Sequence, residues 1–155
     1  MVVIALVAAL TAVAACRQRT PGPEGDILAT LTGAPINVEA FDAKTMRDKP
    51  SLVLFVTPTC PHCAAQLPQA QHAATKSNAN LVAVFVAGKK ENATGVLDHA
   101  KFSAPAILDD GSLKRRYGIR SVPYTLVLGA DGKAREQFVG EQTAGMLMDA
   151  LEDAR

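Results

Sequence analysis

The sequence predicts an α/β domain built on a mixed central sheet with helices on both faces. Three observations carry this. SLVLFVT at 51–57 and LVAVFVA at 81–87 are continuous, β-prone apolar runs, the pattern of strands buried on both sides. Each is followed by a stretch with helical spacing, so the connections are crossovers and the paired strands are parallel. Near the end, Ala130-Asp131-Gly132 joins two further strand-like runs as a hairpin, which adds antiparallel strands.

The elements follow in order. Residues 27–31 alternate weakly, Gly33-Ala34-Pro35 reads as a turn, and residues 36–38 supply a short partner strand, which together make an N-terminal hairpin. Residues 41–46 hold one or two helical turns. After the strand at 51–57, residues 61–77 form a helix with Ala64, Leu67, Gln71 and Ala74 at helical spacing. After the strand at 81–87 come a helix at 91–101 and a short strand at 106–108, closed by Asp109-Asp110-Gly111. Ser112 is expected to cap a short helix that Gly118 stops. Strands at 124–128 and 135–139 form the hairpin. A helix at 143–154 closes the chain, with Ala144, Leu147, Met148 and Leu151 inward.

The 155 residues suit one domain, and 48% hydrophobic against 20% charged residues argues against disorder. A net charge of +1 gives no nucleic-acid surface, and Lys114-Arg115-Arg116 reads as a solvated helix face. Residues 1–15 are uncharged and apolar, too short to span a bilayer comfortably and suited to the apolar core of a signal peptide. Val13-Ala14-Ala15-Cys16 resembles the lipobox of bacterial lipoproteins, which implies that Cys16 carries lipid and tethers the chain to a membrane. An uncleaved anchor and an ordinary cleaved signal are the alternatives. All three place the chain outside the cytoplasm, in the periplasm or cell envelope. The expected organisation is a signal peptide at 1–15, a tether at 16–25 and a domain at 26–155.

Cys60 and Cys63 then remain, where the first central strand gives way to its helix. Structural zinc wants four ligands, and His62, His72 and His99 form no suitable pair, so no metal is expected. A structural disulfide gains most from closing a long loop, and two intervening residues make a poor staple. A redox couple fits the placement. Cys60 as N-cap faces unpaired N–H groups and the positive end of the helix dipole, which suit a thiolate nucleophile. Cys63 lies one turn on and can resolve a mixed disulfide. Pro61 starts the helix without losing a hydrogen bond. His62 in the first turn offers a cation or an N–H to the Cys60 sulfur.

With the apolar strand before Cys60-Pro61-His62-Cys63, Pro68 inside the helix, and Ser121-Val122-Pro123 opening a strand, the chain resembles the thioredoxin superfamily. Within it, the chain is similar to the membrane-tethered TlpA/ResA-type thiol-disulfide oxidoreductases. Gly33-Ala34-Pro35, AQLPQ at 65–69 and YGIRSVPYTLVLGADGKAREQFVG at 117–140 carry that likeness, over residues 26–154. The resemblance implies a thioredoxin-like fold with an inserted helix and strand. It also implies a cis Pro123 facing the cysteines, and Val122 as the backbone that aligns a substrate chain. No cofactor is implied beyond the Cys60–Cys63 disulfide. Departures are Thr59 where an aromatic residue is usual, and Leu54 and Gln66 where relatives carry the acids thought to help deprotonate the resolving thiol.

The Pro-His dipeptide is that of the oxidase DsbA, whose potential of about −120 mV contrasts with about −270 mV for thioredoxin. The sixty positions between Cys63 and Pro123 leave no room for the helical domain that DsbA inserts there. The scaffold therefore favours a reductase, and the dipeptide leans toward an oxidant. Two rival functions compete with both. A Sco-like copper chaperone would use the same thiolates but spaces its cysteines one residue further apart. A peroxiredoxin is matched only by Thr57-Pro58-Thr59-Cys60. The expected partners are disulfide- or dithiol-containing proteins and a membrane electron donor, with the chain itself a monomer.

Overall fold

Every residue from Ser51 to Val56 is buried, so the strand they form must lie inside a layered structure with cover on both faces. The computed structural model describes residues 20–155. The expected signal peptide at 1–15, Cys16 and the first part of the expected tether lie outside the described residues.

The chain runs through α1 (Ile27–Thr30), β1 (Ala34–Pro35), a 3-10 turn (Ala43–Met46), β2 (Ser51–Val56), α2 (Pro61–Lys76), β3 (Asn80–Phe85) and α3 (Lys90–His99). It continues through β4 (Ala106–Leu108), α4 (Ser112–Arg116), β5 (Tyr124–Leu128), β6 (Ala134–Val139) and α5 (Ala144–Asp153). The six strands form one mixed sheet in the order β1-β4-β3-β2-β5-β6. β2, β3 and β4 are parallel neighbours, while β1, β5 and β6 pair antiparallel. On one face Leu52, Leu54 and Val56 meet Leu67 and Ala70 of α2, Ala93 and Leu97 of α3, and Leu147 and Leu151 of α5. On the other, Val53 and Phe55 meet Ile27 and Leu28 of α1, Met46, and Leu113 of α4. The alternation along β2 thus splits the core into two layers, as a centrally placed strand requires.

The N-terminal hairpin is not formed as expected. Asp26 accepts the N–H of Ala29 and caps α1, so Ile27, Leu28 and Leu31 are buried together from a helical turn rather than on alternate faces. The supposed turn at Ala34-Pro35 is itself the edge strand β1, opposite β4. Beyond it the Asn37 side chain replaces the ladder, accepting from Ala106 N–H and donating to the Ala104 carbonyl. In α2 the buried face is Cys63, Gln66, Leu67, Ala70, Ala73 and Ala74. Ser112 does not cap α4. The carboxylate of Asp109 accepts from Leu113 and Lys114, and that of Asp110 from Ser112.

Two loops at the carboxyl ends of β2 and β3 touch. Gly88 has φ +96°, and a Cβ there would stand 2.7 Å from Pro58 Cγ, two residues before Cys60. Gly88→Ala should therefore cost about 1–3 kcal/mol in strain and displacement of Pro58, read as a lower urea midpoint at unchanged slope.

Candidate active site

The site begins where β2 runs out. Helix α2 starts with Pro61 at its first position, where the missing N–H costs nothing, and with Cys60 as N-cap in extended geometry (φ −97°, ψ 114°). That geometry aims the Cys60 side chain back over the first turn. Its Sγ accepts the N–H of Cys63 at 3.2 Å, satisfying one of the donors a helix start leaves unpaired. A sulfur held by an N–H at the positive end of a helix is placed as a thiolate nucleophile needs to be.

The second cysteine differs. Cys63 lies in the first turn of α2 with no exposed surface, packed among Leu54, Val56 and Leu67, whereas Cys60 is half-buried. Burial pushes the Cys63 thiol up to about 12, and the neighbouring Cys60 sulfur adds to the rise. The backbone N–H and hydroxyl of Thr57, at the end of β2, pull in the opposite direction by donating to the Cys63 sulfur. In the sequence Thr57 stands out only in the rival match Thr57-Pro58-Thr59-Cys60, and its position just past β2, three residues before Cys60, is the signal that could have found this contact.

Across the site, the Val122–Pro123 peptide is cis. Pro123 is buried and Val122 is half-buried, and the Val122 carbonyl lies 3.8 Å from Cys60 Sγ. The next residue, Tyr124, opens β5 opposite Phe55 of β2 and Val139 of β6, which fixes this turn beside the start of α2. Cys60, Pro61, Cys63, Val122 and Pro123 are thus brought together at one end of the sheet.

His62 is there too, with a different bond. Its ring is exposed, and Nδ1 lies 3.1 Å from Glu141 Oε2, the partner it has in place of the Cys60 sulfur. That contact is the first of a series. One turn on, Gln66 is fully buried, donates to the Gln142 carbonyl at 3.1 Å, and accepts the Gln142 N–H. Gln69 accepts the Ala144 N–H at 2.9 Å. Positions 62, 66 and 69 lie on one stripe of α2, so this stripe holds the segment 141–144 that leads into α5. Gln66 stands out in the sequence only as the absence of an acid. In the structure its amide bonds a peptide group at both ends, which a carboxylate, having no N–H, would not do. Among the described residues no cluster of His, Cys, Asp and Glu is arranged to hold a metal ion.

A family model described as a thioredoxin-like domain matches residues 38–155. The sporulation thiol-disulfide oxidoreductase A of Bacillus subtilis is 26% identical over 161 residues, covering 99% of this chain and 94% of that protein. The soluble secreted antigen MPT53 of Mycobacterium tuberculosis is 29% identical over 134 residues, covering 79% of this chain and 68% of the antigen. A solved structure of a secreted M. tuberculosis disulfide oxidoreductase, described as homologous to E. coli DsbE, superposes with a TM-score of 0.71 at 21% identity. It covers 83% of this chain and 99% of its own and shares the fold.

The unequal cysteines give a pH signature. A thiol raised from 9.0 to about 12 keeps its proton in the folded state after the unfolded chain has lost it. Its stabilising contribution is therefore complete below pH 9 and is lost as pH rises toward 12. The reduced protein should lose stability over that window relative to the oxidised protein, measured by urea unfolding. At pH 8, mass spectrometry should find iodoacetamide on Cys60 and not on Cys63.

Proposed function

The chain belongs to the thioredoxin-like family, and on that premise we propose that it is a thiol-disulfide oxidoreductase that reduces protein disulfides outside the cytoplasm. The observation that carries this reading is the position of Cys60 Sγ, between the N–H of Cys63 and the carbonyl of Val122.

The steps follow from that placement. The Cys60 thiolate attacks one sulfur of a substrate disulfide, whose extended chain lies along Val122-Pro123. The substrate S–S bond breaks, a Cys60 mixed disulfide forms, and the released substrate sulfur takes a proton. Cys63 then loses its proton and attacks the Cys60 sulfur. The Cys60–Cys63 disulfide forms and the second substrate thiol leaves. Two electrons have passed to the substrate, and a membrane-bound dithiol donor returns them. The protein works as a monomer with no cofactor beyond this disulfide, held at the membrane through Cys16. Support for an envelope location comes from relatives described as secreted and from the apolar segment ending at Cys16. Among the described residues no helix is long and apolar enough to cross a membrane.

Direction rests on His62. A histidine cation directed at the nucleophile would favour the reduced form, as an oxidant requires, and the hydrogen bond of this histidine goes to Glu141. That bond supports the reductase reading.

Cys63→Ala should accumulate mixed disulfides in cells while Cys60→Ala accumulates none, seen as adducts on non-reducing gels. Equal trapping by both would refute the assigned roles. Equilibration of the couple with glutathione should give a potential more reducing than about −200 mV, on the thioredoxin side of the range. A value near about −120 mV would instead make the protein an oxidase.

A further inference from the structure

The short helix α4 and the loop after it carry positive charge that the redox chemistry does not use. A cleft of about 490 Å³ opens there, lined by Lys114, Arg115 and Arg120 over Val86, the residue after β3, and no acidic residue lines it. All three cations are exposed. The Arg115 guanidinium folds back over Gly111, and Asp110 lies close enough to offset part of its charge. The other nearby acid, Asp109, is buried and accepts the backbone N–H groups of Leu113 and Lys114. Arg116 faces a different cleft beside Tyr117. Among the described residues neither Lys114 nor Arg120 has an ion-pair partner.

The cleft borders the active site on one side only. Arg120 stands two residues before Val122, at most about 7 Å along the backbone, and the Val122 carbonyl is 3.8 Å from Cys60 Sγ. Val86 is two residues before Gly88, the glycine set against Pro58. On the opposite side stands Glu141. It follows Gly140, whose N–H donates to the Pro123 carbonyl at 2.8 Å. In the sheet, β3 and β6 lie on opposite sides of the β2–β5 pair. Across the sheet, Val86 and Leu113 belong to one core layer, and α2 and α5 cover the other. Cys60 therefore sits between two exposed, unpaired cations and an exposed carboxylate.

We infer that the cleft is a subsite for an acidic stretch of the substrate polypeptide, on one flank of the cysteine that Cys60 attacks. The inference rests on the oxidoreductase reading above and names its substrate class. A segment laid along Val122-Pro123 leaves the site on two sides. Carboxylates on the flank over the cleft meet Lys114 and Arg120. Carboxylates on the other flank meet Glu141 and are repelled. Exposed ion pairs hold a complex weakly, so the gain falls on the rate of encounter. Clefts lined by one sign of charge raise association rates by about 10-fold or more at low salt, and two cations stand at the lower end of that range.

The test uses self-quenched, disulfide-linked dimers of short one-cysteine peptides, with aspartates before the cysteine, with aspartates after it, or with glutamines in both places. Each rate of reduction by the reduced protein is divided by the rate with dithiothreitol, which removes differences in disulfide reactivity. One aspartate peptide should be reduced about 10-fold faster than the glutamine peptide at low salt, and the other no faster. The preference should fall below about 2-fold at 1 M salt, where the Debye length is about 3 Å. Lys114→Gln with Arg120→Gln should abolish it, and Lys114→Glu with Arg120→Glu should reverse it. Lys44→Glu with Lys76→Glu makes the same change in net charge, before β2 and in the last turn of α2, and should keep it. Equal acceleration by aspartates on both flanks, or equal loss in the Lys44 and Lys76 variant, overturns the cleft in favour of net charge. Equal rates for all three peptides overturn the subsite and leave the oxidoreductase reading standing. Reduction of none overturns both.

Discussion

One hydrogen bond organises the active site, the N–H of Cys63 donated to the sulfur of Cys60. It exists because a six-residue strand buried on both faces delivers the chain to the start of a helix at the sheet's carboxyl end. It also needs Cys60 to remain outside the helix as its cap, with Pro61 setting the first helical residue. The rest of the site is arranged around the sulfur so held. β5 and β6 bring Val122 to it from one side, and the loop after β3 supports Pro58 behind it. The sulfur meets the Cys63 N–H and the positive end of α2 on one side and the Val122 carbonyl on the other.

The same geometry makes the two cysteines unequal. One turn of helix separates a half-exposed sulfur with an N–H donor from a buried one whose proton is held by lack of solvation. In the proposed mechanism this inequality sets the order of events. The sulfur that attacks first is the one a substrate can reach, and the buried thiol acts only after a mixed disulfide has changed its surroundings. Leu54 and Gln66 occupy the places where an acid would take the second proton, and Gln66 is committed to the peptide groups of Gln142. What faces the Cys63 sulfur is the hydroxyl and N–H of Thr57, which lower the cost of its anion without accepting its proton. In the proposed mechanism the proton leaves through the substrate thiol or solvent admitted at Cys60.

How much of this is legible in the sequence depends on the range of the interactions. The two apolar runs announce β2 and β3, because burial on both faces leaves a local pattern. The place of the cysteines at a strand-to-helix junction is local too, and the structure has β2 giving way to α2 there. The N-terminal hairpin fails because Ile27, Leu28 and Leu31 satisfy a weak alternation and a helical turn alike, and the Asp26 cap decides between them. Ser112 looks like a cap by type, and two aspartates just before it take the role. The partnership of Gln66 with Gln142 spans 76 positions, and nothing local predicts it. Contacts of that range become visible only once the fold is known.

His62 shows most clearly why a dipeptide between two cysteines does not define the chemistry alone. The Pro-His pair occurs in a strong oxidant, where stabilisation of the thiolate gives the histidine its part. Here the same pair sits on a helix whose stripe of positions 62, 66 and 69 is engaged by the segment 141–144. The buried Gln66 fixes that segment, and the fixed segment puts Glu141 beside the imidazole. The ring's hydrogen bond then goes to Glu141 and not to the Cys60 sulfur. The placement of the His62 ring is therefore governed from the far end of the chain, through a glutamine that the sequence offers only as a missing acid.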